Sequence, residues 1–131
     1  MSQEHVDVVR HAIEAYVRRD VQAMRYLNAP DVELDWSASR GWLAGIYRGF
    51  DEVMGFYSDF YSAFEVISLE AEEFIPVGDS VVVPHVAHQR GRDGIELSVR
   101  AAFVFTLADG KITRIVLYQE TSEALAAVGI E

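Results

Sequence analysis

The sequence predicts a single α+β domain in which helices come first and a run of antiparallel strands follows. Apolar residues recur at helical spacing over residues 3–18, whereas one face of residues 95–107 is apolar at every second position. The first pattern is typical of an amphipathic helix, and the second is typical of a strand with one face in an apolar interior. Asp109 and Gly110 then favour a tight reversal into a second long strand, Lys111–Tyr118. Helices segregated from an antiparallel meander define an α+β arrangement.

The first half of the chain holds two further helices and one strand. Asp20 is a good N-cap for a short second helix, which ends at residues 28–30. Apolar and acidic residues alternate over residues 32–36, so a strand follows. Residues 37–45 form a loop that contains Trp42, and this is the segment where we expect mobility. A third helix, rich in aromatic residues, covers residues 51–64.

The second half of the chain contains the rest of the meander and a short tail helix. We predict strands over residues 69–75 and 81–90, with a turn at residues 78–79 between them. The tail helix follows the long hairpin, with Thr121 or Ser122 as its N-cap and Gly129 beyond its end.

Composition narrows the classes of function. The 131 residues form one domain, 1–131, with a net charge of −10 and no cysteine. Such an acidic chain repels a phosphate backbone, so we expect no nucleic-acid partner. The absence of cysteine excludes thiol catalysis and disulfides. We find no signal peptide and no apolar run that could span a membrane, so we expect a cytoplasmic protein without a membrane partner.

The turn at Asp109 and Gly110 has two plausible registers. A two-residue loop pairs Leu107 with Ile112 and puts Arg114 on the apolar face. A three-residue loop pairs Leu107 with Lys111 and keeps Arg114 outside, and we choose it because a one-residue slip turns every side chain to the other face. The chosen register also pairs Phe103 with Ile115 and Ala101 with Leu117.

The turn at residues 92–94 also contains an Asp-Gly pair, and it sets the register between the two strands that it joins. A three-residue loop places His85 on the inner face of its strand and His88 on the outer face. The predicted pairs are Gln89 with Leu97, Ala87 with Val99, His85 with Ala101 and Val83 with Phe103.

These registers gather apolar side chains on the outer face of the sheet. The cluster consists of Val82, Pro84, Ala102, Val104, Val116 and Tyr118. It is flanked by His88, Arg90, Arg100 and Arg114. An apolar belt rimmed by charge usually marks a partner surface, so we predict a homodimer through this outer face. The alternative is that the tail helix covers it.

The order of these segments resembles the SnoaL-like branch of the nuclear-transport-factor-2-like superfamily, which includes ketosteroid isomerases and polyketide cyclases. Beyond Asp20, the resemblance rests on the segments APDVELDW (29–36), IYRG (46–49), EFIPVGD (73–79) and LADGKI (107–112) through to Tyr118. It implies a cone-shaped barrel: a strongly curved antiparallel sheet wrapped on three helices, enclosing an apolar pocket open at one end. Members are usually dimeric through the sheet.

The catalytic residues of ketosteroid isomerases carry over poorly. The position of their carboxylate base holds Trp36, and that of the supporting acid falls at Ala102 or Phe103. Their first-helix tyrosine falls about one turn before Tyr16, and only Tyr57 matches. The resemblance therefore argues against that isomerase chemistry. SnoaL-like cyclases, which are similar in overall pattern, work with a histidine and a carboxylate in the pocket.

The candidate catalytic residues are His85, Glu73 and Tyr57. His85 lies in an apolar strand and could act as a proton shuttle, the alternative being a buried neutral imidazole bonded to a backbone carbonyl. Alternation places Glu73 inward, with a solvated edge position as the alternative, and turns Asp35 outward. Tyr57 or Gln119 would stabilise an enolate oxygen.

The remaining pocket candidates are mostly aromatic. They are Tyr16, Trp36, Trp42, Tyr47, Phe60, Phe103, Leu117 and Gln119. His85 and His88 face opposite ways and cannot share a metal, so we predict neither a metal nor a cofactor. Two hypotheses remain: an isomerase, cyclase or dehydratase acting on a small hydrophobic carbonyl compound by general acid–base chemistry, or a non-catalytic ligand-binding or dimerisation module.

Overall fold

The computed structural model describes residues 2–130. Its helices are α1 (Ser2–Arg18), α2 (Val21–Leu27), α3 (Phe50–Ala63) and α4 (Thr121–Ala127). Its strands are β1 (Asn28–Asp35), β2 (Ile46–Arg48), β3 (Phe64–Ala71), β4 (Ile75–Val77), β5 (Ser80–Gly91), β6 (Glu96–Ala108) and β7 (Lys111–Tyr118). No helix in this range is long and apolar enough to cross a membrane.

The strands form one mixed sheet in the order β2-β1-β7-β6-β5-β3, with β4 paired to β5. The expectation of a purely antiparallel sheet is corrected, because β1 runs parallel to β7. These two strands are far apart in the chain, so no hairpin forces them to be antiparallel. Within residues 2–130 the sheet stays open, with β2 and β3 at its edges.

The core lies between the concave face of the sheet and the first three helices. Val9 and Ile13 of α1 and Val53 and Phe56 of α3 are buried against the inward residues of β5, β6 and β7. Burial of these apolar faces is what holds the helices on the sheet. The predicted α+β cone is confirmed.

The register of β5 and β6 agrees with the sequence prediction in all four pairs, including His85 with Ala101 and Val83 with Phe103. In the turn between these two strands Gly94 has a φ of 87°, a conformation that glycine adopts without strain.

The chosen pairing of Leu107 with Lys111 at the turn of residues 109–110 is wrong, whereas the outward placement of Arg114 is confirmed. Leu107 pairs with Ile112, as for a two-residue loop, and Asp109 and Gly110 have the positive φ values, 53° and 77°, of that turn. Thr113 is then an extra residue, a bulge after which Arg114 pairs with Thr106 and faces outward. The predicted pairs of Phe103 with Ile115 and Ala101 with Leu117 are therefore wrong by two residues. Phe103 pairs with Leu117, and Phe105 pairs with Ile115.

The tail helix covers the outer apolar face. Ala124 of α4 packs against Val82, Ala102 and Val104, with Tyr118 at the margin. Pro84 and Val116 are also buried within the single chain. The expectation that these side chains form an exposed dimer surface is corrected, because α4 already removes most of them from solvent. Self-association itself stays a prediction.

Two predicted boundaries are also corrected. The N-cap of α4 is Glu120, not Thr121 or Ser122, because its carboxylate and that of Glu123 form a reciprocal capping box. Strand β3 ends at Ala71, and the chain resumes strand pairing only at β4.

Candidate functional site

A cavity of about 460 Å³ lies between the concave face of the sheet and the helices. Tyr16 of α1 and Phe60 of α3 form one side, and the inward residues of β5, β6 and β7 form the other. The loop of residues 37–45 and the free ends of β5 and β6 border its mouth. Most of the predicted site residues line it: Tyr16, Trp36, Trp42, Phe60, His85, Phe103, Leu117 and Gln119.

A second, smaller recess of about 30 Å³ lies deeper in the core. Tyr16, Trp36 and Phe103 border both spaces, so the recess extends the cavity inward. Tyr16, Tyr57 and Asn28 are polar residues of its largely apolar wall. The Asn28 Nδ2 donates to the Met24 carbonyl, and its Oδ1 is buried without a partner among the described residues.

His85 is the titratable group built into the cavity wall. The residue is only 2% exposed, and its ring stacks on Phe103 with the ring centroids 4.2 Å apart. The Nδ1 lies 3.0 Å from the Val83 carbonyl oxygen. Since a carbonyl only accepts, Nδ1 carries the hydrogen and the neutral ring keeps a lone pair on Nε2. No residue in 2–130 bonds this Nε2, so it is free to act on a ligand.

The surroundings keep His85 neutral. Burial lowers the pKa of His85 below its ordinary value of 6.5, because the charged form is poorly solvated there. The bond to Val83 and the charge of Glu72 act in the opposite direction but are smaller effects. At neutral pH the imidazole is therefore an uncharged base.

The tyrosines beside the cavity are hydrogen-bond donors. Burial, followed by neighbouring tyrosines, raises the pKa of Tyr16 and of Tyr57 well above the ordinary value. Their rings lie 5.6 Å apart. Both hydroxyls stay protonated at neutral pH, and neither has a hydrogen-bond partner within residues 2–130. The Tyr61 hydroxyl, by contrast, is used: it donates to the Tyr16 carbonyl at 2.8 Å.

Comparison with known proteins supports the same architecture. The family model for the SnoaL-like domain matches residues 9–115. The chain belongs to the SnoaL-like family.

Proteins similar to this SnoaL-like chain match most of its length. An uncharacterised protein of Mycobacterium tuberculosis is 31% identical over 111 residues, covering 84% of each chain. An NTF2-like protein of unknown function from Burkholderia pseudomallei superposes with a TM-score of 0.80 at 24% identity, covering 96% of this chain and 98% of the other. TerC, co-crystallised with polyporic acid, gives a TM-score of 0.79 at 21% identity, covering 95% and 98%.

Two predicted site residues lie outside the cavity. Glu73 is exposed in the link between β3 and β4, so its inward placement was wrong: the strand ends at Ala71 and the alternation ends with it. Tyr47 packs against Phe56 and donates to the Leu43 carbonyl at 2.7 Å, which makes it part of the support of the loop.

Asp35 faces outward as expected and pairs with Arg114 at 3.7 Å. No aspartate or glutamate is among the described residues that line the cavity or the recess.

Gln119 lines the cavity and also anchors the loop. Its Nε2 donates to the Ala38 carbonyl at 2.7 Å, while the backbone N–H of Trp36 donates to the Gly45 carbonyl at 2.8 Å. These bonds and that of Tyr47 hold the loop at several points. The predicted mobility of residues 37–45 stays a prediction.

Sequence reasoning missed four polar residues of these walls: Asn28, Ser39, Arg40 and Gln89. Gln89 was within reach, because its predicted pairing with Leu97 already places it on the inner face. Nothing in the sequence indicated that Asn28 lines a cavity, since its position is typical of a residue that ends a helix. Arg40 lies in a loop without periodicity.

Proposed function

We propose that this SnoaL-like protein binds a small, hydrophobic, ring-containing carbonyl compound and moves a proton on it, as an isomerase, cyclase or dehydratase does. The observation that carries the proposal is the free Nε2 of a buried, neutral His85 in the wall of an apolar cavity. A buried, uncharged imidazole with a free ring nitrogen suits the role of general base.

The chemistry needs a base and an oxyanion donor, and both border the cavity system. Nε2 of His85 accepts a proton from the carbon next to the carbonyl, and the electron pair moves onto the carbonyl oxygen. The hydroxyl of Tyr16 or Tyr57 donates to that oxygen and stabilises the enolate. The imidazolium, held through Nδ1 by the Val83 carbonyl, then returns the proton to carbon.

The walls indicate the ligand class. Trp36, Phe60 and Phe103 present aromatic faces, which pack well on a flat ring. The cavity volume lies within the range usual for small-molecule sites. TerC, a protein of similar fold, was co-crystallised with polyporic acid, which supports a small organic ligand here.

The test is proton exchange at carbon, which needs no knowledge of the natural substrate. We would incubate 2-tetralone in D₂O with the wild type, His85→Gln and His88→Gln, and follow deuterium uptake by NMR. We expect acceleration by the wild type and by His88→Gln, and a loss of about 100-fold or more in His85→Gln, the usual contribution of a general base. Equal acceleration by all three would contradict the role of His85.

A second candidate function is binding without catalysis. No carboxylate is among the described residues that line the cavity, so none of them shares the proton with His85, and this favours binding alone. In the same experiment, binding of 2-tetralone without exchange in the wild type would favour this second function.

Homodimerisation is proposed separately. The outer face beyond α4 still presents His88, Arg90 and Arg100, which pair with Glu70, Glu65 and Glu72. Sedimentation velocity would test it: a species of twice the chain mass supports a dimer, and a monomer at high concentration contradicts one.

A further inference from the structure

Arg40 is the charged residue of the cavity. Of the described residues that line the cavity and the recess, no other carries a charge at neutral pH. It is exposed in the loop of residues 37–45, beside Trp42, whereas Trp36 and Phe103 line the part of the cavity that adjoins the buried recess. The space is therefore polarised, with a cation at its entrance and aromatic rings beside the recess.

Arg40 is also unusual among the basic residues, since within residues 2–130 it alone has no recorded partner. Every other arginine and the lysine contacts a carboxylate, a backbone carbonyl or an aromatic ring. For example, Arg114 pairs with Glu33, and Arg92 donates to the Ser62 carbonyl. In a chain with a net charge of −10, a guanidinium that no acidic residue neutralises is available for an external anion.

We propose that Arg40 binds the anionic group of the ligand, and that the ligand class is an amphipathic organic acid. The carboxylate lies at the mouth on the guanidinium, and the ring body extends inward past His85. This inference rests on the proposed function, because it assumes that the cavity takes a small ring compound. It adds that the compound carries a negative charge and that its charged end lies at the mouth of the cavity.

Physical chemistry favours this pairing over a merely solvated arginine. The planar guanidinium matches a carboxylate through two parallel hydrogen bonds, which are stronger than bonds between neutral groups. The overall negative charge of the protein repels anions at a distance, so an acid is held only where a local cation offsets that field. Because Arg40 is exposed, its attraction is screened by salt, and binding should weaken as ionic strength rises.

The experiment compares 4-phenylbenzoic acid with 4-phenylbenzamide, which has nearly the same shape and no charge. Isothermal titration calorimetry would measure both on the wild type, Arg40→Gln and Arg10→Gln. Arg10 provides the matched control, since it carries the same charge on α1, over the ring of Phe74 and outside the cavity. We expect the wild type and Arg10→Gln to prefer the acid by about tenfold, the effect of a charge-assisted hydrogen bond discounted for exposure. We expect Arg40→Gln to bind both compounds equally.

Salt gives a second readout that needs no variant. Raising the ionic strength should weaken binding of the acid to the wild type and leave the amide unchanged. Equal affinity of the wild type for acid and amide, or a preference that survives in Arg40→Gln, would overturn the role of Arg40 while leaving the cavity as a binding site. Failure of both compounds to bind would count against the proposed function as well.

Discussion

The two halves of strand β6 have similar sequence patterns and opposite environments. Residues 96–100 are exposed, whereas residues 101–105 are buried, although inward positions are apolar throughout. The second half is covered by the first three helices on one face and by α4 on the other. The first half projects beyond them. The alternation of apolar and polar residues therefore predicts on which face of the strand a side chain lies. Whether that face is buried depends on how far the helices extend over it.

His85 lies at the boundary between these halves. It pairs with Ala101, the first buried residue of β6, and beyond it β5 is also only partly buried. The candidate base is thus placed where the packed core ends and the open mouth begins. A group in that position is desolvated enough to stay neutral and still adjoins the cavity.

The largest expected contrast concerns one leucine from each half. Leu107 is 2% exposed and Leu97 is 48% exposed, both on the inner face of β6. Leu107→Ala should lower the free energy of unfolding by about 2–5 kcal/mol, because it leaves a cavity in a packed core. Leu97→Ala should lower it by less than about 1 kcal/mol. Urea denaturation of both variants measures the difference, and similar losses would contradict the division of the strand.

The outer face offers the next contrast, between two alanines of α4. Ala124 is fully buried on the sheet, and Ala126 is exposed. Ala124→Leu should destabilise the protein by about 1–3 kcal/mol through overpacking, whereas Ala126→Leu should change it little. Thermal unfolding followed by circular dichroism compares them. If both variants melted like the wild type, α4 would not cover this face in solution.

A smaller, pH-dependent contrast separates the wild type from His85→Gln. The folded-state pKa of His85 is below its value of about 6.5 in the unfolded chain, so the unfolded state binds the proton more readily. The stability that His85 contributes is complete above pH 6.5 and is lost as the pH falls through that value toward the folded pKa. Between pH 7.5 and 5, the wild type should therefore lose more stability than His85→Gln. A wild-type slope equal to that of His85→Gln would contradict a lowered pKa of His85.

The smallest effect on stability is expected at the mouth itself. Trp42 is 75% exposed and lines the cavity, so Trp42→Ala should change the free energy of unfolding by no more than about 0.5 kcal/mol. The same variant should weaken binding of 4-phenylbenzamide several-fold, because it removes an aromatic wall. Calorimetry and denaturation on one preparation separate the two effects. A strongly destabilised variant would show that the mouth is part of the core.

Features that depend on one turn could be predicted from the sequence. The Asp-Gly turn at residues 93–94 was enough to place His85 inward and to pair it with Ala101. The bulge at Thr113 was not predictable, because it reconciles the turn with the burial of Ile112 and Ile115, a property of the whole sheet. Glu73 was misplaced for a related reason: alternation was continued past the end of β3, where the chain leaves the sheet.

Sequence patterns did not predict that α4 covers the outer face of the sheet, nor which residues contact the loop of residues 37–45. The apolar belt around Ala102 was correctly assigned to the outer face, but nothing local showed that α4 was long enough to cover it. The position of Arg40 depends on the bond from Gln119 to the Ala38 carbonyl, which joins segments far apart in the chain, and on the local bond from Tyr47 to the Leu43 carbonyl.

NMR of the imidazole would establish whether His85 is a neutral base with a free Nε2. Long-range ¹H–¹⁵N correlation spectra of the wild type, assigned by comparison with His85→Gln, report the tautomer and the titration of the ring. The account predicts a hydrogen on Nδ1, a lone pair on Nε2 and a pKa below 6.5. A hydrogen on Nε2 in the neutral ring, or a pKa above 6.5, would contradict it.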